Sequence, residues 1–114
     1  MPYLLIQTNQ ELSTEQSASL LKKASKNVAS TLGKPESYVM VAIQAATPMV
    51  FAGNDKPLAY LQLKSLGLPE SSTQEFSAVL CNLINSELGI STDRIYVEFS
   101  APERHMWGWD KSTF

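Results

Sequence analysis

One cysteine and one histidine occur in the 114 residues, and each scarcity excludes chemistry. The lone Cys81 leaves no internal disulfide, and its setting in the apolar run Val79-Leu80-Cys81-Asn82-Leu83-Ile84 reads as a structural thiol, not a redox centre. With His105 as the single imidazole, no metal site is expected. An excess of one charge is missing too. Nine basic residues are interspersed with 11 acidic ones, for a formal net charge of -2. No basic stripe tracks phosphates, so no nucleic-acid partner is expected. One local lysine still suffices to hold a small anion. Nowhere are there the ~18 consecutive apolar residues of a membrane span, and the start has no charged segment ahead of a hydrophobic core and a small-residue cleavage site. No membrane partner is therefore expected. The default location is the cytoplasm, and export without a signal is compatible with the sequence.

What is present is an ordinary globular composition, 44% hydrophobic and 18% charged, which at this length implies a single domain over residues 1–114. Pro2 to Thr8 reads as a strand. Ser13-Thr14-Glu15-Gln16 is a capping box, and Ala18, Leu21, Ala24, Val28 and Leu32 follow at helical spacing until Gly33 and Pro35 stop the helix. A second strand, Tyr38 to Gln44, is rich in Val39, Val41 and Ile43.

The plan then recurs. Leu58 to Ser65 reads as a strand, Ser72-Thr73-Gln74-Glu75 as a second capping box, Phe76, Val79, Leu80, Leu83, Ile84 and Leu88 as a helical face, and Ile95 to Ser100 as a fourth strand. Leu32-Gly33-Lys34-Pro35 through Val41 aligns with Leu88-Gly89-Ile90-Ser91 through Val97, 56 positions later. Two copies make a duplicated domain, not a solenoid. The expected fold is α+β, with tandem pseudo-symmetric β-α-β repeats over approximately 2–45 and 58–100. Together they form a four-stranded sheet with two helices on one face.

The other face needs a cover. Strands two and three alternate apolar residues on both sides, with Tyr38, Met40 and Ala42 opposite Val39, Val41 and Ile43, and Leu58 and Tyr60 opposite Ala59, Leu61 and Leu63. Other subunits are the economical cover, so an oligomer is expected. The connector Ala46 to Asp55 suggests an extra short strand at an edge. Trp107-Gly108-Trp109 makes the tail from Pro102 to Phe114 too aromatic for a disordered segment.

Pro2 becomes the N-terminal residue if Met1 is removed, as a small second residue permits. Its secondary amine is then a candidate base. An α-amino group titrates near pH ~8, so modest desolvation or a nearby cation renders it neutral at physiological pH. The apolar stretch Tyr3-Leu4-Leu5-Ile6 anchors that terminus in a sheet.

Met1-Pro2, Gly33-Lys34-Pro35, Phe51-Ala52-Gly53, Lys64-Ser65-Leu66-Gly67, Asp93-Arg94-Ile95-Tyr96-Val97, Gly108-Trp109 and Ser112-Thr113-Phe114, in this order and spacing, resemble the macrophage migration inhibitory factor family of the tautomerase superfamily along the whole chain. The resemblance implies a homotrimer whose sheets surround a central channel, with three active sites at subunit boundaries. It implies keto-enol tautomerisation of phenylpyruvate-like α-keto acids and of dopachrome, without a cofactor, by the N-terminal proline. On that reading Pro2 is the base and Lys34 binds the substrate carboxylate and keeps the amine neutral. Leu66 offers its backbone N–H, Tyr96 of the neighbouring subunit meets the substrate ring, and Trp107, Trp109 and Phe114 close an aromatic pocket.

Several positions depart from the family pattern. Glu98, two residues after Tyr96, stands where the best-known members carry asparagine. Ionised, it would stabilise a protonated Pro2 and oppose a substrate carboxylate, unless it pairs with Lys34 or Arg94, is protonated, or serves as a hydrogen-bond partner for a different substrate. The Cys-x-x-Cys of members with thiol-disulfide activity is replaced by Leu58 and Leu61, so that activity is not expected. Trp107 replaces a smaller aliphatic residue and Ser100 an aromatic one. Decarboxylation or hydration of a short acid ranks last, because Arg94 and Arg104 are few and neither is assigned to the pocket. The alternative from another class is a cytokine-like interaction protein with vestigial catalysis, acting through a receptor as animal members do.

Overall fold

Two β-α-β units share one sheet in the computed structural model, which describes residues 1–114. The first unit is β1 (Tyr3–Thr8), α1 (Thr14–Leu32) and β2 (Met40–Gln44), and the second is β3 (Ala59–Lys64), α2 (Thr73–Leu88) and β4 (Ile95–Ser100). Pairing is parallel within each unit, and the units join where β1 runs antiparallel to β3, giving the order β2-β1-β3-β4. Both helices cover the same face, as expected. Leu20, Ala24 and Val28 of α1 and Phe76, Leu80 and Ile84 of α2 pack with Leu4, Ile6, Leu61, Leu63 and Ile95 in one core. The repeat is visible in the helix ends: Gly33 and Gly89 cap α1 and α2 at φ 64° and 69°, a left-handed conformation that suits glycine. Each is followed by a single 3-10 turn, Glu36–Tyr38 and Thr92–Arg94. The first of these turns delays β2, so the strand begins at Met40 and not Tyr38.

The capping box of α1 forms as read, with Ser13 Oγ accepting from the Gln16 amide and Gln16 Oε1 accepting from the Ser13 amide, both at 3.0 Å. The second does not. A 3-10 turn, Glu70–Ser72, precedes α2 and leaves Ser72 at φ -107°, ψ 4°, outside the extended conformation a side-chain N-cap needs. Thr73 Oγ1 instead donates to the Glu70 carbonyl at 3.0 Å. The buried stripe of α1 is also rotated from the one expected. Leu20, Ala24 and Val28 point inward, whereas Ala18 and Leu21 are exposed, because one residue turns the helix by about 100°.

The uncovered sheet face is less apolar than its sequence suggested. Register places Tyr3, Leu5, Met40 and Ala42 there, but also Gln7, Gln44, Gln62, Lys64 and Glu98. Tyr38 lies outside β2, and Leu58 is buried ahead of β3. The segment after β2 adds no strand to an edge: Phe51 and Asn54 bridge across a tight turn in which Ala52 and Gly53 have φ 53° and 76°. Arg94 holds that turn, donating to the carbonyls of Phe51, Asn54, Lys56 and Pro57.

The tail forms a 3-10 turn, Arg104–Met106, and a hairpin of β5 (Gly108–Trp109) and β6 (Ser112–Thr113). Asp110 and Lys111 link these strands at φ 48° and 67°, the two positive values that a two-residue type I′ turn requires.

Candidate active site

Pro2 is fully buried, and its carbonyl accepts the Met40 amide at 3.0 Å. The next residue, Tyr3, sits between Met40 of β2 and Lys64 of β3. The start of the chain is thus fixed in the middle of the sheet, where it cannot fray. Above it opens a cleft of about 740 Å³, ample for a small aromatic ligand. Met1, Pro2 and Tyr3 form its floor, Ser37 to Met40 one wall, Lys64 and Ser100 another, and Pro102, Met106 to Trp109 and Phe114 the cover. The hairpin explains how the tail reaches it. Trp109 stacks on Phe114 at 5.9 Å and 13° between rings, Tyr38 meets Trp109 edge-on at 6.0 Å, and the Phe114 amide donates to the Trp107 carbonyl at 3.2 Å.

Four of the residues expected from the sequence, Pro2, Trp107, Trp109 and Phe114, therefore meet in one cleft. Lys34 lies beyond its walls, half-buried, one residue past the Gly33 cap and fixed by its amide's 3.0 Å hydrogen bond to the Ala29 carbonyl. Its charge nevertheless reaches the N-terminal amine. Burial first, then Lys34, then Arg104, holds the Met1 amine below its ordinary value of 8.0.

In the sequence Lys64 enters only as part of a family motif, and Arg104 is not assigned to the pocket. Lys64 shares the strand phase of Tyr60 and Gln62, and that alternation was the available signal. Arg104 has no comparable pattern, since it reaches the site through the fold of the tail. Lys64 is the single charged side chain lining the cleft, and no carboxylate side chain lines it.

Tyr96 and Glu98 stand apart from Pro2 within one protomer, whereas the β1–β3 register brings Leu66 close to the chain start. Leu66 is buried after β3 and does not line the cleft. Tyr96 is exposed and packs edge-on against Phe51, with ring centroids 4.8 Å apart. Tyr3, Lys64 and Ser100 share one level of the sheet, whereas Gln7, Tyr60 and Tyr96 share a level four residues further along β1. At ~3.3 Å per residue and ~4.8 Å per strand, Tyr96 is roughly 16 Å from Tyr3 along the sheet. Glu98 pairs with neither Lys34 nor Arg94. Its Oε1 accepts from Tyr60 Oη at 2.7 Å and Gln62 Nε2 at 2.9 Å, because β3 and β4 place these side chains adjacent on one face. The Tyr60 hydrogen bond, then that of Gln62, holds the Glu98 carboxyl below the usual carboxylate range, with Lys64 adding a weaker pull.

The family model for macrophage migration inhibitory factor matches residues 1–114. The chain is similar to a macrophage migration inhibitory factor homolog of Brugia malayi, 41% identical across 100% of this chain and 99% of that protein. The crystal structure of a homologue from Prochlorococcus marinus superposes with a TM-score of 0.92 at 42% identity, covering 98% of each chain. The factor from Trichinella spiralis superposes with a TM-score of 0.90 at 31% identity, over 98% of this chain and 99% of that one.

Proposed function

The chain belongs to the macrophage migration inhibitory factor family, a tautomerase-type family of isomerases, and from that premise we propose that it interconverts the keto and enol forms of phenylpyruvate-like aromatic α-keto acids and of dopachrome-type compounds. Once Met1 is removed, Pro2 carries a free secondary amine on the floor of the cleft. In the keto-to-enol direction this amine takes the proton from the carbon α to the substrate carbonyl. The electron pair of that C–H bond becomes the enol double bond, and the amine returns the proton to the carbonyl oxygen. No external oxidant or reductant is required.

Lys34 holds the substrate carboxylate, and Trp107, Trp109 and Phe114 pack against the ring. The separation of Tyr96 from Pro2 supports completion of the site at a subunit boundary, with Leu66 offering its backbone N–H from the subunit of Pro2 and Tyr96 and Glu98 meeting the substrate across that boundary in a homotrimer. The observation carrying the proposal is the buried Pro2 beneath an aromatic cleft, beside an amine whose proton affinity is already lowered by burial and by Lys34 and Arg104.

The test is conversion of enol-phenylpyruvate by protein whose intact mass shows Met1 absent, alongside its Pro2→Gly variant. Turnover by the first and a loss of roughly 10-fold or more in the second are expected, less than the full ~10²–10⁴-fold of a general base because glycine keeps a primary amine. Inactive, fully processed protein across a range of pH overturns the proposal for this substrate class.

A further inference from the structure

The cleft described above contains one charged side chain without a counter-ion. Lys64 is half-buried and lines a wall otherwise built from aromatic, aliphatic and serine residues. The Lys23–Glu87 ion pair and the His105–Glu103 contact lie elsewhere. Lys64 pulls weakly on the Glu98 carboxyl, but Glu98 Oε1 is engaged by Tyr60 and Gln62, and Glu98 stays outside ion-pair range of Lys64. A half-buried ammonium without a counter-ion gains from an anionic partner. Lys34 acts on the Met1 amine, and Met1 and Lys64 line the same cleft, so the two cations flank the start of the chain and suit two anionic groups on one ligand. Arg104 adds positive charge without a carboxylate partner of its own.

We propose that Lys64 is a second anion-binding residue of this cleft, so that the preferred substrate is an arylpyruvate bearing a further carboxylate on its ring, held between Lys34 and Lys64. This rests on the tautomerase reading for turnover, but not for binding. The kinetic test compares kcat/KM for 4-carboxyphenylpyruvate with that for phenylpyruvate in Met1-free protein and in its Lys64→Gln and Lys64→Arg variants. The ratio exceeds one in the parent and shrinks with added salt. It falls roughly 10-fold in Lys64→Gln, chiefly through KM, and recovers in Lys64→Arg. A ratio that Lys64→Gln leaves unchanged overturns the proposal.

Calorimetric binding of terephthalate against benzoate separates the two failures, because neither ligand needs to react. If Pro2→Gly and the parent are equally inactive, but terephthalate binds more tightly than benzoate and loses that advantage in Lys64→Gln, the tautomerase reading fails and the two-anion cleft stands. Equal advantage in the parent and Lys64→Gln removes the two-anion cleft whatever the turnover.

Discussion

Tyr60 donates its phenolic proton to Glu98 Oε1 across 2.7 Å, and Gln62 Nε2 donates to the same oxygen at 2.9 Å. The contact favours the ionised form of Glu98 and the neutral form of Tyr60. Glu98 is held below the usual carboxylate range, chiefly by the Tyr60 hydrogen bond, and the Tyr60 phenol is pushed above 10.0, chiefly by Glu98. Tyr60→Phe therefore raises the Glu98 pKa toward its unperturbed value near ~4.3, as read by NMR titration of the side-chain carboxyl. The stability gained from this contact is complete above that unfolded value and disappears as pH falls through the depressed folded one. A Glu98 titration that does not move in Tyr60→Phe contradicts the assignment.

Glu98→Asn tests the carboxylate's part in the proposed boundary site. An anion near the amine favours its protonated form and repels the substrate carboxylate. The neutral variant is therefore expected to raise kcat/KM for phenylpyruvate, by roughly 2- to 10-fold given screening at an exposed position. No change or a fall, measured at neutral pH, contradicts this electrostatic role.

Helix phase gives a prediction about stability. Leu20 is fully buried and Leu21 is 37% exposed. Leu20→Ala is expected to lower unfolding free energy by about 2–5 kcal/mol, through lost burial and a residual cavity. The exposed neighbour, Leu21→Ala, is expected to lower it by under about 1 kcal/mol. Urea titration of both variants reads the difference, and the reverse order would contradict the observed helix face.

Much of this fold is legible because its signals are local. Gly33 and Gly89 mark helix ends wherever they are placed, and the alternation of Ala59, Leu61 and Leu63 with Tyr60 and Gln62 identifies the core face of β3 without knowledge of partners. Leu20 and Leu21 were harder to separate, since adjacent leucines fit neighbouring stripes and only packing against the sheet selects one. Ser72 carries the same residue type as Ser13, yet a preceding 3-10 turn changes its backbone and removes the cap. In the site, Pro2 and the aromatic tail could be drawn together through the family resemblance. Arg104 could not, because its influence on the amine depends on how the tail folds back over β1.

Met1 itself lines the cleft, and its peptide bond to Pro2 leaves that nitrogen without a basic lone pair. Protein retaining Met1, or carrying an uncleaved N-terminal extension, is expected to lose roughly 100-fold or more of its phenylpyruvate activity, the scale of general-base catalysis. Mass spectrometry paired with the assay checks it: activity should scale with the fraction of chains that begin at Pro2, and full activity in the extended protein would exclude Pro2 as base.

The most direct measurement of the central claim is the pH dependence of kcat/KM for phenylpyruvate in Met1-free protein. A base acts when neutral, so activity falls as pH drops through the pKa of the Pro2 amine. Burial, Lys34 and Arg104 lower the neighbouring Met1 amine, and the same influences are expected on an amine one residue deeper. The acid limb is expected to lie below the ordinary amine value near ~8, and to move to higher pH in Lys34→Gln and in Arg104→Gln. A limb at or above that value, or one that neither substitution moves, contradicts catalysis by a neutral Pro2 held by these two cations.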